Sequence, residues 1–173
     1  RRCRYRGWKA ASSASFAKGS CLPNNAKHKR RVSWYNPCME HVTHTLDPIF
    51  DADSRILILG TMPSPKSRAA RMYYGHPQNR FWPVLAAVYG EAAPTDHDAR
   101  RALILRHNLA LWDVLHSCDI VGASDASIRN PVPNDIAWLL GQTGIHTVLT
   151  TGQTAARLYR ALIEPTTGLP CRA

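Results

Sequence analysis

The sequence predicts an α/β protein with three layers, in which helices cover both faces of a short central parallel sheet. Short apolar runs of strand length alternate with segments of helical spacing. Such alternation favours parallel strands, because the helix between two strands crosses over the sheet and packs on it. The 173 residues suffice for one ordinary domain with a sizeable core.

The first half of the domain is predicted to contain a strand and two helices. Residues 55–59 form an apolar run that ends at Gly60, which is typical of a buried parallel strand. Residues 81–89 have helical spacing. Residues 95–107 also have it, and they begin with a cap at Thr95-Asp96.

The second half repeats this alternation. Residues 109–112 and 146–150 are short apolar strands, and the helix at 135–140 follows two prolines with Asn134 as its N-cap. The last predicted helix is amphipathic, occupies residues 154–163 and ends at Pro165.

Residues 1–38 differ in charge from the rest of the chain. They hold ten of the 22 Lys and Arg residues and none of the 12 acidic residues, whereas residues 39–173 are balanced. The net charge of +10 therefore does not indicate that the domain binds nucleic acid. A basic segment of this kind is typical of a nucleic-acid arm or a targeting peptide. Because Met39 is the first methionine, we expect a disordered extension that is not native, followed by the domain at 39–173.

The cysteines, histidines and apolar runs indicate which classes of protein to set aside. The five cysteines form no CxxC pair, and the eight histidines lack metal-ligand spacing, so we expect neither a disulfide framework nor a metal site. No apolar run approaches the roughly 18 residues of a membrane helix. We expect a cytoplasmic protein with no membrane contact.

A cluster of aromatic and amide side chains follows the first predicted strand. Residues 73–82 contain four aromatic rings, one imidazole, two amides and a guanidinium. Ligands of parallel α/β sheets bind at the carboxyl ends of the strands. Rings can stack on a base, amides can read its edge and Arg can hold phosphate, so this segment indicates a nucleobase pocket.

Several long motifs make the sequence resemble a known family. They are Ile56-Leu57-Ile58-Leu59-Gly60-Thr61-Met62-Pro63-Ser64, Tyr74-Gly75-His76-Pro77-Gln78-Asn79-Arg80-Phe81-Trp82, His107-Asn108-Leu109-Ala110-Leu111-Trp112-Asp113-Val114-Leu115, Gly122-Ala123-Ser124-Asp125 and Pro133-Asn134-Asp135-Ile136. Over about residues 43–170 the chain closely resembles the hypoxanthine-DNA glycosylases, or DNA-deoxyinosine glycosylases, of the uracil-DNA glycosylase superfamily.

The resemblance implies a uracil-DNA-glycosylase-like fold and a base-excision repair activity. Such an enzyme hydrolyses the N-glycosidic bond of a deaminated base, mainly hypoxanthine, after that base leaves the DNA stack. The implied partner is DNA containing deaminated bases, and the hydrolysis needs no cofactor. Since the sequence carries no sign of an oligomer, we expect a monomer. Two alternatives stay open, namely a uracil-DNA glycosylase of the same superfamily and an inactive DNA-binding fragment.

The resemblance also implies which residue is catalytic. Many superfamily members place an Asp or Asn two residues after the glycine of the first loop, where this chain has Met62. The family resembled here uses the Asn of its HPQN block, which is Asn79, to orient a water. A purely structural role for Asn79 is to cap the helix that begins near Arg80.

The remaining site residues are predicted from their chemistry and their places after strands. One aromatic ring of this region is expected to stack on the base, and the other rings are expected to pack in the core. Ser124 and Asp125 are expected at the rim. The predicted base-binding residues are Gly60, Tyr74, Phe81, Asp113, His76 and Gln78. The predicted DNA-backbone residues are Ser64, Arg80, Arg68, Thr151 and Gly152.

The carboxyl end of the sequence departs from the family pattern. Family members continue with a last strand and a Ser/Pro-rich loop that holds the flipped nucleotide, whereas this chain ends at Ala173. We expect the domain to be truncated there, with its last strand missing except for a beginning within residues 169–173.

Overall fold

The computed structural model describes residues 39–173. The extension predicted at 1–38 lies outside the described residues. Within the described part, the elements in chain order are the strands and helices β1 (Glu40–Thr43), β2 (Ile56–Gly60), α1 (Pro65–Ala70), α2 (Phe81–Val88), α3 (His97–Arg106), β3 (Leu109–Asp113), β4 (Leu115–Ile120), a 3-10 turn (Asp125–Ser127), β5 (Arg129–Pro133), α4 (Ile136–Gly141), β6 (Thr147–Thr150), α5 (Gln153–Leu162), α6 (Glu164–Thr167) and β7 (Cys171–Arg172).

A four-stranded parallel sheet in the order β3-β2-β6-β7 organises the described residues, which confirms the predicted α/β class. Its central strand is β2, which pairs Ile58 with Leu111 of β3 on one side and with Leu149 of β6 on the other. After β2 the chain crosses to β3 on one side of β2, and later it adds β6 on the other side of β2. The carboxyl end of β2 is therefore a topological switch point, where α/β folds bind ligands.

The apolar runs explain why β2 and β3 lie inside. Leu57 and Leu59 of β2 are fully buried, and all five residues of β3 are buried. A parallel strand covered on both faces requires such a continuous run, because neither face meets water. The three strands predicted from these runs are confirmed, with their ends shifted by one residue.

A second sheet of the described residues is antiparallel and was not predicted. Its order is β1-β4-β5, and Val114 alone separates β4 from β3. β5 carries two prolines and lies at the sheet edge, where a missing N–H is tolerated. Its largely exposed side chains show no clear alternation, so the sequence lacked a strand signal here.

The predicted ends of the later helices are partly wrong. The N-cap of α4 is Asp135, whose carboxylate accepts the Trp138 N–H at 2.9 Å, and it is not Asn134. Pro165 does not simply terminate α5, because it lies in the first turn of α6, a position that needs no N–H donor. The cap at Asp96 is confirmed, since its carboxylate accepts the Ala99 N–H at 2.8 Å.

A short strand lies near the carboxyl end of the described residues. Cys171 and Arg172 form β7 and pair in parallel with β6. This confirms that a strand begins within residues 169–173. None of the helices between residues 39 and 173 is long and apolar enough to cross a membrane.

Candidate active site

A cavity of about 210 Å³ lies at the carboxyl ends of β2, β3 and β6. The loop after β2 forms one wall, and the residues that end β3 and follow β6 form others. Seven predicted site residues line it, namely Gly60, Ser64, Tyr74, Asn79, Asp113, Thr151 and Gly152. The structure therefore brings together residues that are separated by up to 92 positions in the sequence.

Gly60 is needed because the carboxylate of Asp113 occupies the space beside it. A Cβ on Gly60 would lie 2.1 Å from Asp113 Oδ1 and 3.0 Å from the Tyr74 hydroxyl oxygen. Gly60 was predicted as a base-binding residue. The structure places a protein carboxylate beside it, so Gly60 shapes the site by making room for Asp113.

Asp113 ends β3 and is 4% exposed. Its Oδ2 lies 2.9 Å from Nε2 of the buried His44. Burial raises the pKa of Asp113, and the His44 hydrogen bond partly opposes that shift. The buried Asn134 donates to the main-chain oxygens of Asp113 and Leu115 at 2.9 and 3.0 Å, which fixes the backbone on both sides of Val114.

Tyr74 forms a half-buried wall of the cavity. Its ring stacks on Phe81, and its hydroxyl lies 3.0 Å from Thr151 Oγ1. Burial raises the pKa of Tyr74 above its ordinary value, so the phenol stays neutral. Its φ of 53° is a left-handed conformation that is uncommon outside glycine and polar turn residues. This backbone conformation belongs to the loop that presents the ring to the cavity.

Tyr73 and Trp82 are buried in the core, and Tyr73 also borders the cavity. Tyr73 is 3% exposed, and its hydroxyl lies 3.1 and 3.0 Å from the main-chain oxygens of Leu46 and Asp47. The indole N–H of Trp82 donates to the main-chain oxygen of Tyr73 at 2.9 Å. These bonds leave Tyr74 as the ring best placed for a ligand.

Asn79 is exposed, and it is not the N-cap of α2, because that position belongs to Arg80. Its Oδ1 accepts the Phe81 N–H at 2.9 Å at the start of α2, and the residue also lines the cavity. An amide oxygen has two lone pairs, so this bond leaves one acceptor position for a water. Among the described residues the Asn79 Nδ2 has no hydrogen-bond partner.

Several predicted site residues lie outside the cavity. Phe81 lies behind Tyr74, Gln78 and Arg80 are exposed, and Nε2 of His76 is 2.8 Å from Lys66 Nζ. Arg68 pairs with Glu40 at 3.3 Å and borders a second cavity. The structure brings none of these five residues into the lining of the 210 Å³ cavity.

Three of the residues predicted to meet the DNA backbone line the cavity, namely Ser64, Thr151 and Gly152. Ser64 caps α1 by accepting the Ser67 N–H at 3.2 Å. Thr151 donates its hydroxyl hydrogen to the Leu59 main-chain oxygen at 3.3 Å. Gly152 precedes α5 with an extended φ of 174°. Each of them lies at the mouth formed by the strand ends.

Sequence reasoning missed several contributors to this site, among them Thr61 and His44. Thr61 lines the cavity and donates to the Asp125 carboxylate at 2.8 Å, which holds the expected rim residue in place. His44 reaches Asp113 from the segment after β1, although 69 positions separate them. Across residues 39–173, no group of three or more His, Cys, Asp or Glu side chains could hold a metal ion.

The fold and this site define an α/β protein with a cavity at the carboxyl ends of its parallel strands, and comparison with known families identifies the superfamily. The model of the uracil DNA glycosylase superfamily matches residues 48–169. The chain belongs to the uracil DNA glycosylase superfamily. This confirms the superfamily that the sequence motifs indicated.

Two relatives carry a more specific name. The chain is 33% identical over 93 residues to the hypoxanthine DNA glycosylase of Methanosarcina barkeri, covering 53% of this chain and 59% of that protein. It is 34% identical over 92 residues to the hypoxanthine DNA glycosylase of Methanosarcina acetivorans, covering 53% and 58%. The matched part thus spans about six tenths of the length of these relatives.

A solved structure shares the fold. It is the solution NMR structure of a protein from Methanosarcina acetivorans described as a candidate uracil DNA glycosylase. The TM-score is 0.66 at 24% identity, and the match covers 76% of this chain and 81% of that one. At this identity the similarity shows the arrangement of strands and helices.

Proposed function

We propose that the protein is a DNA glycosylase that hydrolyses the N-glycosidic bond of deaminated bases, mainly hypoxanthine in deoxyinosine. The observation that carries this proposal is the joint placement of Asn79 and Asp113 in one cavity at the strand ends. Membership of the superfamily and similarity to two proteins named hypoxanthine DNA glycosylase support it. The substrate is DNA, on which the protein acts as a monomer inside the cell.

The proposed reaction starts with a base that has left the duplex. Its face stacks on Tyr74, and its polar edge meets Asp113 at the end of β3. Cleavage of the glycosidic bond leaves a cation-like sugar and a base that carries away negative charge. Asn79 places the water that adds to the sugar, and the proton that this water loses neutralises the departed base. Because an amide is a poor base, its contribution is orientation of the water.

The proposed contacts to the DNA backbone lie around the mouth. The Ser64, Thr151 and Gly152 segments border the cavity directly. Arg68 and Arg80 lie farther out and contribute charge for phosphates. Since the charges of residues 39–173 balance, affinity depends on where these cations lie, and we expect moderate salt dependence.

Base release from oligonucleotides under single-turnover conditions tests this function. The full chain is expected to free hypoxanthine from a deoxyinosine oligonucleotide faster than uracil from a deoxyuridine one. Asn79→Ala is expected to slow release by about 100-fold. Asn79→Ser is informative because serine can still accept the Phe81 N–H but is too short to reach the same water.

The matched control is Gln142→Ala, which removes an exposed amide that makes no side-chain hydrogen bond within the described residues. It should leave the rate unchanged. A wild-type chain that is folded by circular dichroism and releases neither base contradicts the proposal. Faster release of uracil than of hypoxanthine would assign the alternative substrate.

A further inference from the structure

The buried pair of His44 and Asp113 has a fixed direction of hydrogen bonding. The side chains are 2% and 5% exposed, and 2.9 Å separates Nε2 from Oδ2. The other imidazole nitrogen, Nδ1, accepts the Leu46 N–H at 3.2 Å and so carries no hydrogen. A neutral imidazole then has its hydrogen on Nε2, which donates to Asp113.

This tautomer makes Asp113 an acceptor in the pair. A hydrogen on Oδ2 would require an unprotonated Nε2 and therefore a hydrogen on Nδ1, directed at the Leu46 N–H. A doubly protonated imidazole meets the same clash. The main-chain N–H of Leu46 therefore selects the arrangement in which His44 is neutral and Oδ2 receives its hydrogen.

The second carboxylate oxygen of Asp113 has no partner within residues 39–173. Oδ1 lies beside Gly60, and both Asp113 and Gly60 line the cavity. The neighbouring Tyr74 hydroxyl is committed elsewhere. Since Thr151 donates to the Leu59 main-chain oxygen, the Tyr74 hydroxyl donates to Thr151 Oγ1. Because Asp113 lines the cavity and Oδ1 makes no hydrogen bond within these residues, Oδ1 is free to accept from a ligand donor.

Deamination of a base changes the group that this oxygen would meet. Adenine N1 and cytosine N3 carry a lone pair, whereas hypoxanthine N1 and uracil N3 carry a hydrogen. A carboxylate oxygen without a proton only accepts, so it binds the N–H and repels the lone pair. Guanine shares the N1–H, so this contact does not separate guanine from hypoxanthine.

We propose that His44 is a positioning residue that holds Asp113 as a carboxylate with Oδ1 facing the cavity. The site then selects bases with a hydrogen on purine N1 or pyrimidine N3, such as hypoxanthine and uracil, over adenine and cytosine. This rests on the proposed function, because it assumes that the cavity receives a base. Asp113 is the specificity-determining contact, and His44 acts through it.

Binding of full-length chain to oligonucleotides that resist cleavage tests the proposal. A single 2′-fluoro-deoxyinosine or 2′-fluoro-deoxyadenosine is placed in the same duplex, and the Kd ratio of the two is measured. His44→Leu is expected to lower the preference for inosine by about tenfold, and Asp113→Asn should do the same. His44→Gln keeps an N–H donor, and its ratio should stay within about threefold of wild type. Gln142→Ala is the control.

A second measurement uses only the wild-type chain, so it does not depend on whether a variant folds. Nitrogen-15 NMR of His44 in the wild-type chain should show an unprotonated Nδ1 and a protonated Nε2 at neutral pH. A proton on Nδ1 overturns the proposal. So does an unchanged inosine preference in folded His44→Leu, or a wild-type chain that binds both oligonucleotides equally.

The two proposals fail in different ways. A chain that prefers the inosine analogue through His44 but cleaves no deoxyinosine supports the recognition pair and contradicts the glycosylase function. A chain that releases hypoxanthine with equal discrimination in wild type and His44→Leu contradicts the recognition pair alone.

Discussion

Tyr74 and Phe81 stack on each other, with ring centroids 4.0 Å apart and 19° between their planes. Both were predicted as base-binding rings, but only Tyr74 lines the cavity. Phe81 also meets the buried Trp82 edge to face at 5.0 Å. Phe81 therefore packs between the buried Trp82 and Tyr74, whose ring lines the cavity.

Removing the aromatic face of Tyr74 should weaken binding of a flipped base. A base stacked on an aromatic ring gains about 1–3 kcal/mol, so Tyr74→Leu should raise the Kd for a 2′-fluoro-deoxyinosine duplex by about 5- to 150-fold. Tyr74→Phe keeps the ring and loses only the hydrogen bond to Thr151, so its loss should be smaller. Fluorescence anisotropy measures both, and equal losses would argue against stacking.

Gly60→Ala should displace the Asp113 carboxylate. The added Cβ would meet Oδ1 at 2.1 Å, a distance that requires Asp113 or the strand to move. Overpacking of this kind costs about 1–3 kcal/mol, and we also expect loss of base release. The control is Gly141→Ala at the end of α4, where a Cβ meets nothing within 4 Å. Urea unfolding compares the two variants, and equal stability would contradict the expected crowding.

The parallel sheet was predictable because its inner strands are apolar on both faces. The predicted runs 56–59 and 109–112 contain no polar residue, so a short buried strand is the natural interpretation of each. The edge strand β5, with its two prolines and exposed side chains, lacks such a pattern. Its pairing with β4 depends on contacts across the sheet, which periodicity does not encode.

The site was predictable to the extent that strand ends meet at one edge of a parallel sheet. Asp113 and Thr151 were predicted on that ground, and both line the cavity. The arrangement of His44 was not predictable, because its partner lies 69 positions away and the segment carrying it precedes the sheet. Asn134 was predicted as a cap on local grounds, whereas its amide is used by main-chain oxygens of the preceding strands.

Asn134→Ala should destabilise the junction between β3 and β4. The substitution removes the donor that two buried main-chain oxygens share, at a cost of about 1–3 kcal/mol. Asp135→Ala, which removes the true cap of α4, should cost about 1 kcal/mol. Chemical unfolding measures the free energy of unfolding of these two variants and of the control Gln142→Ala. A cost for Asn134→Ala no greater than that of Gln142→Ala would show that the junction does not depend on this amide.

Glu91 should make stability fall as the solution becomes acidic. Hydrogen bonds from His107 and then from Arg106 lower the pKa of Glu91 from its ordinary 4.5. Because the folded chain holds the carboxylate more favourably than the unfolded chain, this stabilisation is complete above the ordinary pKa. It is lost as the pH falls through the lower pKa of the folded state. Urea unfolding of wild type and Glu91→Gln between pH 6 and pH 3 tests this. The difference in unfolding free energy between the two chains should shrink toward acid pH, and a difference independent of pH would contradict the assigned ion pairs.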